Sequence, residues 1–347
     1  MKSQIRKLGK IITHVRKKIQ EIRQNEINVA FIGCGNHATT NLYPALKYAS
    51  MNLSSVCALH IAKAEQQAFL FGAESAYDDY HEMLDTEAVD ALIVCANAKI
   101  HYEAACEALK RGIPVFAEKP PADNVSQCAR LVALSKEKNM PIMVGFNKRF
   151  APAYMEAKKI ISRASFGALN SINIRAYFGF VKSEISLLTE IGIHYIDLLC
   201  YFGSEIRNLK IRKKRIKDKV TIVLTCELST GALGVIQLSN SYSWAKPGER
   251  IELLGEENLV IIKEGREIIN HKPTSVGPGV IPCESEKTTV WSPNYSVPGK
   301  ENHMIYLNGY VGELRHFSQV VGNKTKCLST IDDGYSALKV IEDIGKE

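Results

Sequence analysis

The chain has 347 residues, enough for about two domains and far beyond a disulfide-held mini-protein. Hydrophobic residues make up 46% and charged residues 23%, a balance that supports a sizeable core and excludes a mostly disordered chain. The net charge of +7 first suggests an acidic polymer as partner, but residues 1–24 hold eight Lys/Arg and one Glu, leaving 36 bases against 36 acids elsewhere. The globular body is formally neutral, and nucleic acid is disfavoured as its partner.

Within the arm of residues 1–24, Ile5, Leu8, Ile12, Val15, Ile19 and Ile22 recur at alternating spacings of three and four. This pattern predicts a basic amphipathic helix that docks on its own body, joins a second subunit or links to another module. Gly9 weakens the helix, and the missing Trp and Phe anchors make a membrane surface an unlikely home for it. Nine cysteines without a Cys-x-x-Cys pair fit neither a disulfide framework nor a zinc site, and a reducing cytoplasm is the simplest location. No run of about eighteen apolar residues and no signal peptide is read, so a soluble, unexported protein is expected.

Residues 25–148 read as a dinucleotide-binding domain. The apolar run Ile27 to Ile32 leads into Gly33-Cys34-Gly35-Asn36-His37-Ala38 and a helical stretch through Tyr48. In this strand, glycine turn and helix, Gly33 permits the tight turn, Gly35 lets the backbone approach a pyrophosphate and Ala38 allows close packing. Alternation continues through strand 53–59, helix 61–71, strand 88–95, helix 100–111 and strand 114–117, predicting a doubly wound parallel sheet of the Rossmann type. The acidic residue expected about twenty positions after the fingerprint is missing, because that count lands on Ala58. NAD and NADP both stay open, with His60 and Lys63 as candidate contacts to a 2′-phosphate. A Rossmann domain that has lost its cofactor is the alternative.

Glu118-Lys119-Pro120 follows the next parallel strand, and it resembles the Glu-Lys-Pro signature of the Gfo/Idh/MocA oxidoreductases, the relatives of glucose-fructose oxidoreductase and inositol dehydrogenase. The resemblance extends in order through the glycine turn, His101, Gly145-Phe146-Asn147-Lys148-Arg149-Phe150, Gly192-Ile193-His194-Tyr195-Ile196-Asp197 and Asp333-Gly334-Tyr335-Ser336-Ala337-Leu338. The stretches Gly35 to Ala38, Pro44 to Leu46 and Gly145 to Pro152 look most like members acting on sugars or sugar nucleotides. Ala96-Asn97-Ala98 stands where the family usually has Thr-Pro-Asn. The resemblance implies cofactor contacts at Gly33, Gly35, Asn36, His37, Ala96, Asn97, His101, Glu118 and Lys119.

Lys119 falls just beyond a strand's carboxyl end, where an ammonium can stabilise a developing alkoxide; the residues alone leave a solvated turn lysine equally open. Glu190, His194, Asp197 and Tyr201 recur at helical spacing on an otherwise apolar helix from about Thr189 to Phe202, so their stripe must face a partner or a cleft. By resemblance His194 is the acid/base histidine and Glu190 its partner where Asp is usual. A packing histidine bonded to Glu190 and a Glu-x-x-x-His metal pair are the competing readings, and no second ligand pair supports a metal. Asn147 is placed to hold the nicotinamide carboxamide. Arg149 is a candidate for a substrate hydroxyl, carboxylate or phosphate, and Lys119, Glu190, His194 and Asp197 are further candidate substrate contacts.

Residues 149–308 read as an α+β substrate and oligomerisation domain, with β-rich runs at 168–180, 208–216, 220–242 and 250–271 forming a mostly antiparallel open sheet. The basic run Arg212 to Lys219 reads as a solvated edge or turn. Residues 273–298 hold five prolines and read as a long loop; Trp291, Tyr295, Tyr306 and Asn308 are candidate pocket residues. In residues 309–347, helices over 310–321 and 332–345 are expected to return to the first domain. The resulting expectation is an NAD(P)-dependent dehydrogenase of a sugar, cyclitol or sugar nucleotide, acting as a homodimer or homotetramer through the open sheet, with the arm as a further contributor. A redox-assisted glycosidase and a non-catalytic cofactor-sensing regulator are the rival readings.

Overall fold

Short strands that are apolar on both faces are stable only when helices cover both sides, and the first half of the chain is built this way. In the computed structural model, which describes residues 26–245, 247–272, 287–294, 296, 299 and 303–347, six such strands form a parallel sheet. They are β1 (Ile27–Ile32), β2 (Met51–Cys57), β3 (Ser75–Tyr77), β4 (Ala91–Val94), β5 (Val115–Ala117) and β6 (Ile142–Val144). Their order is β3-β2-β1-β4-β5-β6, the doubly wound arrangement. The order reverses between β1 and β4, so the crevice beyond their carboxyl ends is the natural ligand site. The expected helix over 1–24, Tyr295 and most of the 273–298 loop lie outside the described residues.

Eight more strands form the second sheet: β7 (Ser171–Tyr177), β8 (Ile206–Ile216), β9 (Lys219–Leu228), β10 (Leu233–Ser239), β11 (Gly248–Leu254), β12 (Leu259–Lys263), β13 (Glu267–Lys272) and β14 (Lys287–Trp291). The order is β14-β13-β12-β11-β7-β10-β9-β8, antiparallel except for the β10 and β7 pair. Alternation along β7 buries Ile172, Ile174 and Ala176 on the face carrying the Ile193–Gly203 helix. The basic run from Arg212 occupies β8 at one edge and its following turn, where Glu184 pairs with Lys213 at 2.6 Å and Arg215 at 2.6 Å.

The last two long helices return to the parallel sheet. Tyr310–Val321 packs on one face, with Phe317 against Phe116 at a ring-centroid distance of 5.7 Å. Ile331–Gly345 packs on the Val125–Lys138 helix across the other face, and Thr330 with Asp333 forms its capping box.

Two local features differ from the sequence expectation. The three-residue β3 and the Tyr80–Thr86 helix after it carry too short a pattern to be read from periodicity. The helix read as continuous from about Thr189 instead opens with a π-helical turn over Leu187–Gly192, where the Ile193 N–H reaches back five residues to the Leu188 carbonyl. The continuous helical stretch Glu184–Gly203 is long and apolar enough on average to cross a membrane, although Glu190, His194 and Asp197 interrupt it and leave no unbroken apolar run. Leu187, Leu188, Ile193, Ile196, Leu198 and Leu199 on it belong to the protein's own core, which accounts for its apolarity.

Candidate active site

Beyond the carboxyl ends of β1, β2 and β4 lies a cleft of about 900 Å³. Its floor is the glycine turn. Gly33 has φ +114°, and a Cβ there would run into the Cys95 carbonyl, so both conformation and space require glycine. A Cβ at Gly35 would meet nothing within 4 Å, leaving the open approach that a pyrophosphate needs. Asn36, His37, Ala96, Asn97 and His60 line the cleft, whose volume and polar lining suit a dinucleotide. Asn97 also caps the Ala98–Lys110 helix by accepting the Ile100 N–H at 3.0 Å. Asp78 and Asp79 line the cleft as well; sequence reading missed them because they follow the very short β3.

The inner end of the cleft is a cluster of buried polar groups. Glu118 is 3% exposed, lies 3.1 Å from His37 Nε2, and accepts the Lys119 N–H at 3.0 Å. Burial opposes its charge, but the His37 hydrogen bond and the Lys119 charge hold its carboxyl below the usual range. Glu313, fully buried behind it on the Tyr310–Val321 helix, is raised well above that range by burial and then by Glu118. Both Glu313 oxygens are buried without a hydrogen-bond partner among the described residues. His101, expected at the cofactor, is instead 1% exposed: it accepts the Ala96 N–H at 3.0 Å and lies 2.8 Å from the Pro120 carbonyl. A neutral imidazole protonated on Nδ1 satisfies both contacts, and burial lowers its pKa accordingly. His101 thus ties the loop after β4 to the turn that carries Lys119.

From this turn Lys119 Nζ reaches the second domain and donates to the Glu190 backbone carbonyl at 3.0 Å. His194 begins the next turn of that helix. Burial, and then the neighbouring Lys119 and Lys148 ammonium groups, hold its pKa well below the ordinary value, so the imidazole is neutral near pH 7. Its Nδ1 is buried without a hydrogen-bond partner among the described residues. The expected contact with Glu190 is not formed: the Glu190 side chain is exposed, because the π-turn breaks the four-residue stacking that an α-helix would give.

His194 lines a second cavity of about 240 Å³ together with Asn147, Lys148, Glu264, Arg266 and Tyr310. Asn147 donates its amide to the Asn308 carbonyl at 2.8 Å, pinning the cavity's entrance segment to the returning chain. Lys148 bonds Glu249 at 2.6 Å and Tyr154 at 3.2 Å, a buried cluster beside Tyr195. Lys148, Glu264 and Arg266 are lining residues that sequence reading missed; the signal for Lys148 was its place between the two singled-out residues Asn147 and Arg149.

Arg149 and Asp197 are corrected from substrate contacts to an internal ion pair. Both are buried, at 6% and 2% exposure, and Arg149 Nε and Nη2 contact the carboxylate at distances from 2.6 to 3.1 Å. Burial pushes the Asp197 carboxyl up to about 6 while Arg149 opposes the shift, leaving it ionised at neutral pH. Arg149 also binds the Leu328 carbonyl and Asp333, so its donors join both domains and the C-terminal segment. Of the aromatic candidates, Trp291 ends edge strand β14, and Tyr306 meets Tyr48 at a tilt beside Arg315 and does not line the cavity; Asn308 does line it.

Residues 27–146 match the Gfo/Idh/MocA family model, described as an oxidoreductase family with an NAD-binding Rossmann fold. The chain is 21% identical over 333 residues to the uncharacterized oxidoreductase YrbE of Bacillus subtilis, spanning 91% of this chain and 92% of that one. It is 26% identical over 213 residues to a myo-inositol 2-dehydrogenase of Thermotoga maritima, covering 56% and 63% of the two chains. The crystal structure of a dehydrogenase from Chromobacterium violaceum superposes with a TM-score of 0.83 at 22% identity, over 92% of this chain and 94% of that one.

Proposed function

Because the chain belongs to the Gfo/Idh/MocA family of NAD-binding oxidoreductases, we propose that it moves a hydride between a nicotinamide dinucleotide and a secondary alcohol or ketone carbon of a single-ring sugar or cyclitol. The observation that carries this reading is the junction of the two domains. A strand-end ammonium, Lys119, touches the backbone of the helix that presents a neutral, half-buried imidazole, His194.

When bound, NAD supplies the nicotinamide C4 that accepts or gives the hydride. In the oxidising direction His194 takes the substrate's hydroxyl proton, and Nε2 is the nitrogen left for this because Nδ1 is shielded. Lys119 holds the same oxygen and stabilises the negative charge that builds on it; in reduction the two groups return charge and proton by the reverse path. Each such group contributes about 10²–10⁴ in rate. Glu118, fixed by His37 and the Lys119 amide, sets where the lysine backbone stands. Glu190 serves through its main-chain carbonyl, which orients the ammonium before substrate arrives.

Substrate class is argued from the second cavity. Its volume of about 240 Å³ and its lining by Asn147, Lys148, Glu264 and Arg266 suit one polyhydroxylated ring better than a sugar nucleotide. The Thermotoga relative named for myo-inositol supports the same class. The open eight-stranded sheet is the surface proposed to join copies into a homodimer or homotetramer, which sedimentation measures directly.

The test mixes the protein with NAD or NADP and, separately, cyclitols, free sugars and UDP-sugars, while absorbance at the reduced-nicotinamide band is followed. Net reduction with a cyclitol or free sugar, lost in Lys119→Ala and His194→Ala, is expected. No reduction with any pair, or release of an aglycone with the dinucleotide unchanged overall, contradicts the proposal.

A further inference from the structure

The carboxylate missing at Ala58 has a counterpart across the sheet. Cys57 at the end of β2 pairs in parallel register with Tyr77 at the end of β3, and the Ala58 N–H donates to the Tyr77 carbonyl at 3.1 Å. Asp78 therefore leaves β3 beside the position where a doubly wound fold ordinarily carries its ribose-binding acid. Asp78 and Asp79 both line the dinucleotide cleft with Ala58.

The two aspartates are not equivalent. Asp79 is committed to structure, since it accepts the His81 N–H at 2.8 Å and caps the Tyr80–Thr86 helix. Asp78 lines the cleft, is exposed and engages in no hydrogen bond or ion pair with another described residue, so the acceptor capacity of its oxygens is unused.

Charge along the cleft is also sorted by position. Lys63, the cation lining it, acts at the glycine turn: burial raises the Cys34 thiol, and the Tyr43 hydrogen bond and then the Lys63 charge oppose that rise. At the end of β2 the field has the other sign, because the Cys57 thiol is pushed up to about 12 by burial and further by Asp79 and Asp78. Asp78 and Asp79 thus make the ends of β2 and β3, beside Ala58, a negative part of the cleft.

Resting on the dinucleotide reading above, we propose that Asp78 replaces the absent acid at Ala58, accepts hydrogen bonds from the ribose 2′- and 3′-hydroxyls and repels a 2′-phosphate. The site then takes NAD(H) in preference to NADP(H). His60 and Lys63, the expected partners of a 2′-phosphate, share the cleft with this carboxylate, which on the proposal opposes that phosphate.

Fluorescence titration with NADH and NADPH tests this on the full chain and on Asp78→Ala, with Asp78→Asn as a second, near-isosteric variant and circular dichroism as the check of folding. The wild type is expected to bind NADH at least about tenfold more tightly than NADPH, the scale of losing a charge-assisted hydrogen bond. Both Asp78 variants should weaken NADH and strengthen NADPH, bringing the affinities within about threefold. Lys63→Ala should weaken both dinucleotides alike and preserve the ratio. Equal binding of the two by the wild type, an unchanged ratio in folded Asp78 variants, or selective loss of NADPH in Lys63→Ala overturns the assignment of Asp78 while leaving the oxidoreductase reading intact. Binding of neither dinucleotide by folded wild type overturns both.

Discussion

The two walls of the active site differ in how fully their polar groups are satisfied. On the parallel-sheet side, Glu118 is held by His37 and the Lys119 amide, and His101 uses both ring nitrogens to join Ala96 to Pro120. On the helical side, His194 Nδ1 has no partner among the described residues and the Glu190 carboxylate points to solvent. Glu313, behind Glu118, also has both carboxyl oxygens buried without a partner among the described residues, so the contrast lies in the groups that hold Lys119 and His194 rather than in every polar atom of each wall. The comparison teaches that Lys119 stands on a turn fixed by neighbouring hydrogen bonds, whereas no hydrogen bond to another described residue fixes the His194 ring, which on the proposed reading leaves its Nε2 side for substrate.

That contrast can be broken from either side. The largest effect is expected from Lys119→Ala, which should lower kcat about 10²–10⁴-fold while dinucleotide affinity moves little, as single-turnover kinetics and NADH titration can separate. Next come the hydrogen bonds that fix the Lys119 turn. His101→Phe keeps an aromatic ring but leaves the Ala96 N–H and the Pro120 carbonyl buried without partners, and urea unfolding should report a loss of roughly 2–4 kcal/mol. A loss below about 0.5 kcal/mol would deny the histidine its tying role.

A smaller effect concerns pH. Because the His194 pKa is lowered, the neutral base persists as pH falls through the ordinary histidine range, and substrate oxidation should lose its His194-dependent limb only on the acid side of pH 6.5. The rate profile of wild type against His194→Gln measures this, and a limb centred above 6.5 would mean that burial and the neighbouring cations do not set the group. The smallest effect is expected from Glu190→Gln. Its main-chain carbonyl still receives Lys119, so kcat should change less than about threefold; a hundredfold loss would show that the carboxylate turns inward to His194 during turnover.

Legibility followed the range of the interaction. The glycine turn, Glu118-Lys119 and the alternating strands and helices were readable because each is a local pattern whose physical demands fall on neighbouring residues. Arg149 and Asp197 were misread as ligand contacts because their pairing joins a 3-10 turn to a helix 48 residues away, and only the folded core neutralises one with the other. Glu190 was placed against His194 because four-residue spacing implies stacking in an α-helix, and the π-turn that removes it leaves no periodic signature. Asp78 was missed since counting along one strand cannot find a carboxylate supplied by its neighbour. His101 had been recognised as a site residue, but its task is to hold backbone.

The central claim is that Lys119 and His194 flank the oxygen of a carbon that exchanges hydride with the dinucleotide. The most direct measurement uses myo-inositol deuterated at its ring carbons, or the ring substrate found in the reduction screen labelled in the same way, with NAD as acceptor. Mass spectrometry of the reduced dinucleotide should find the deuterium on the nicotinamide, with turnover slowed by the label and almost abolished in His194→Ala. Product formed with no deuterium in the dinucleotide, or at an undiminished rate in folded His194→Ala, would contradict the account.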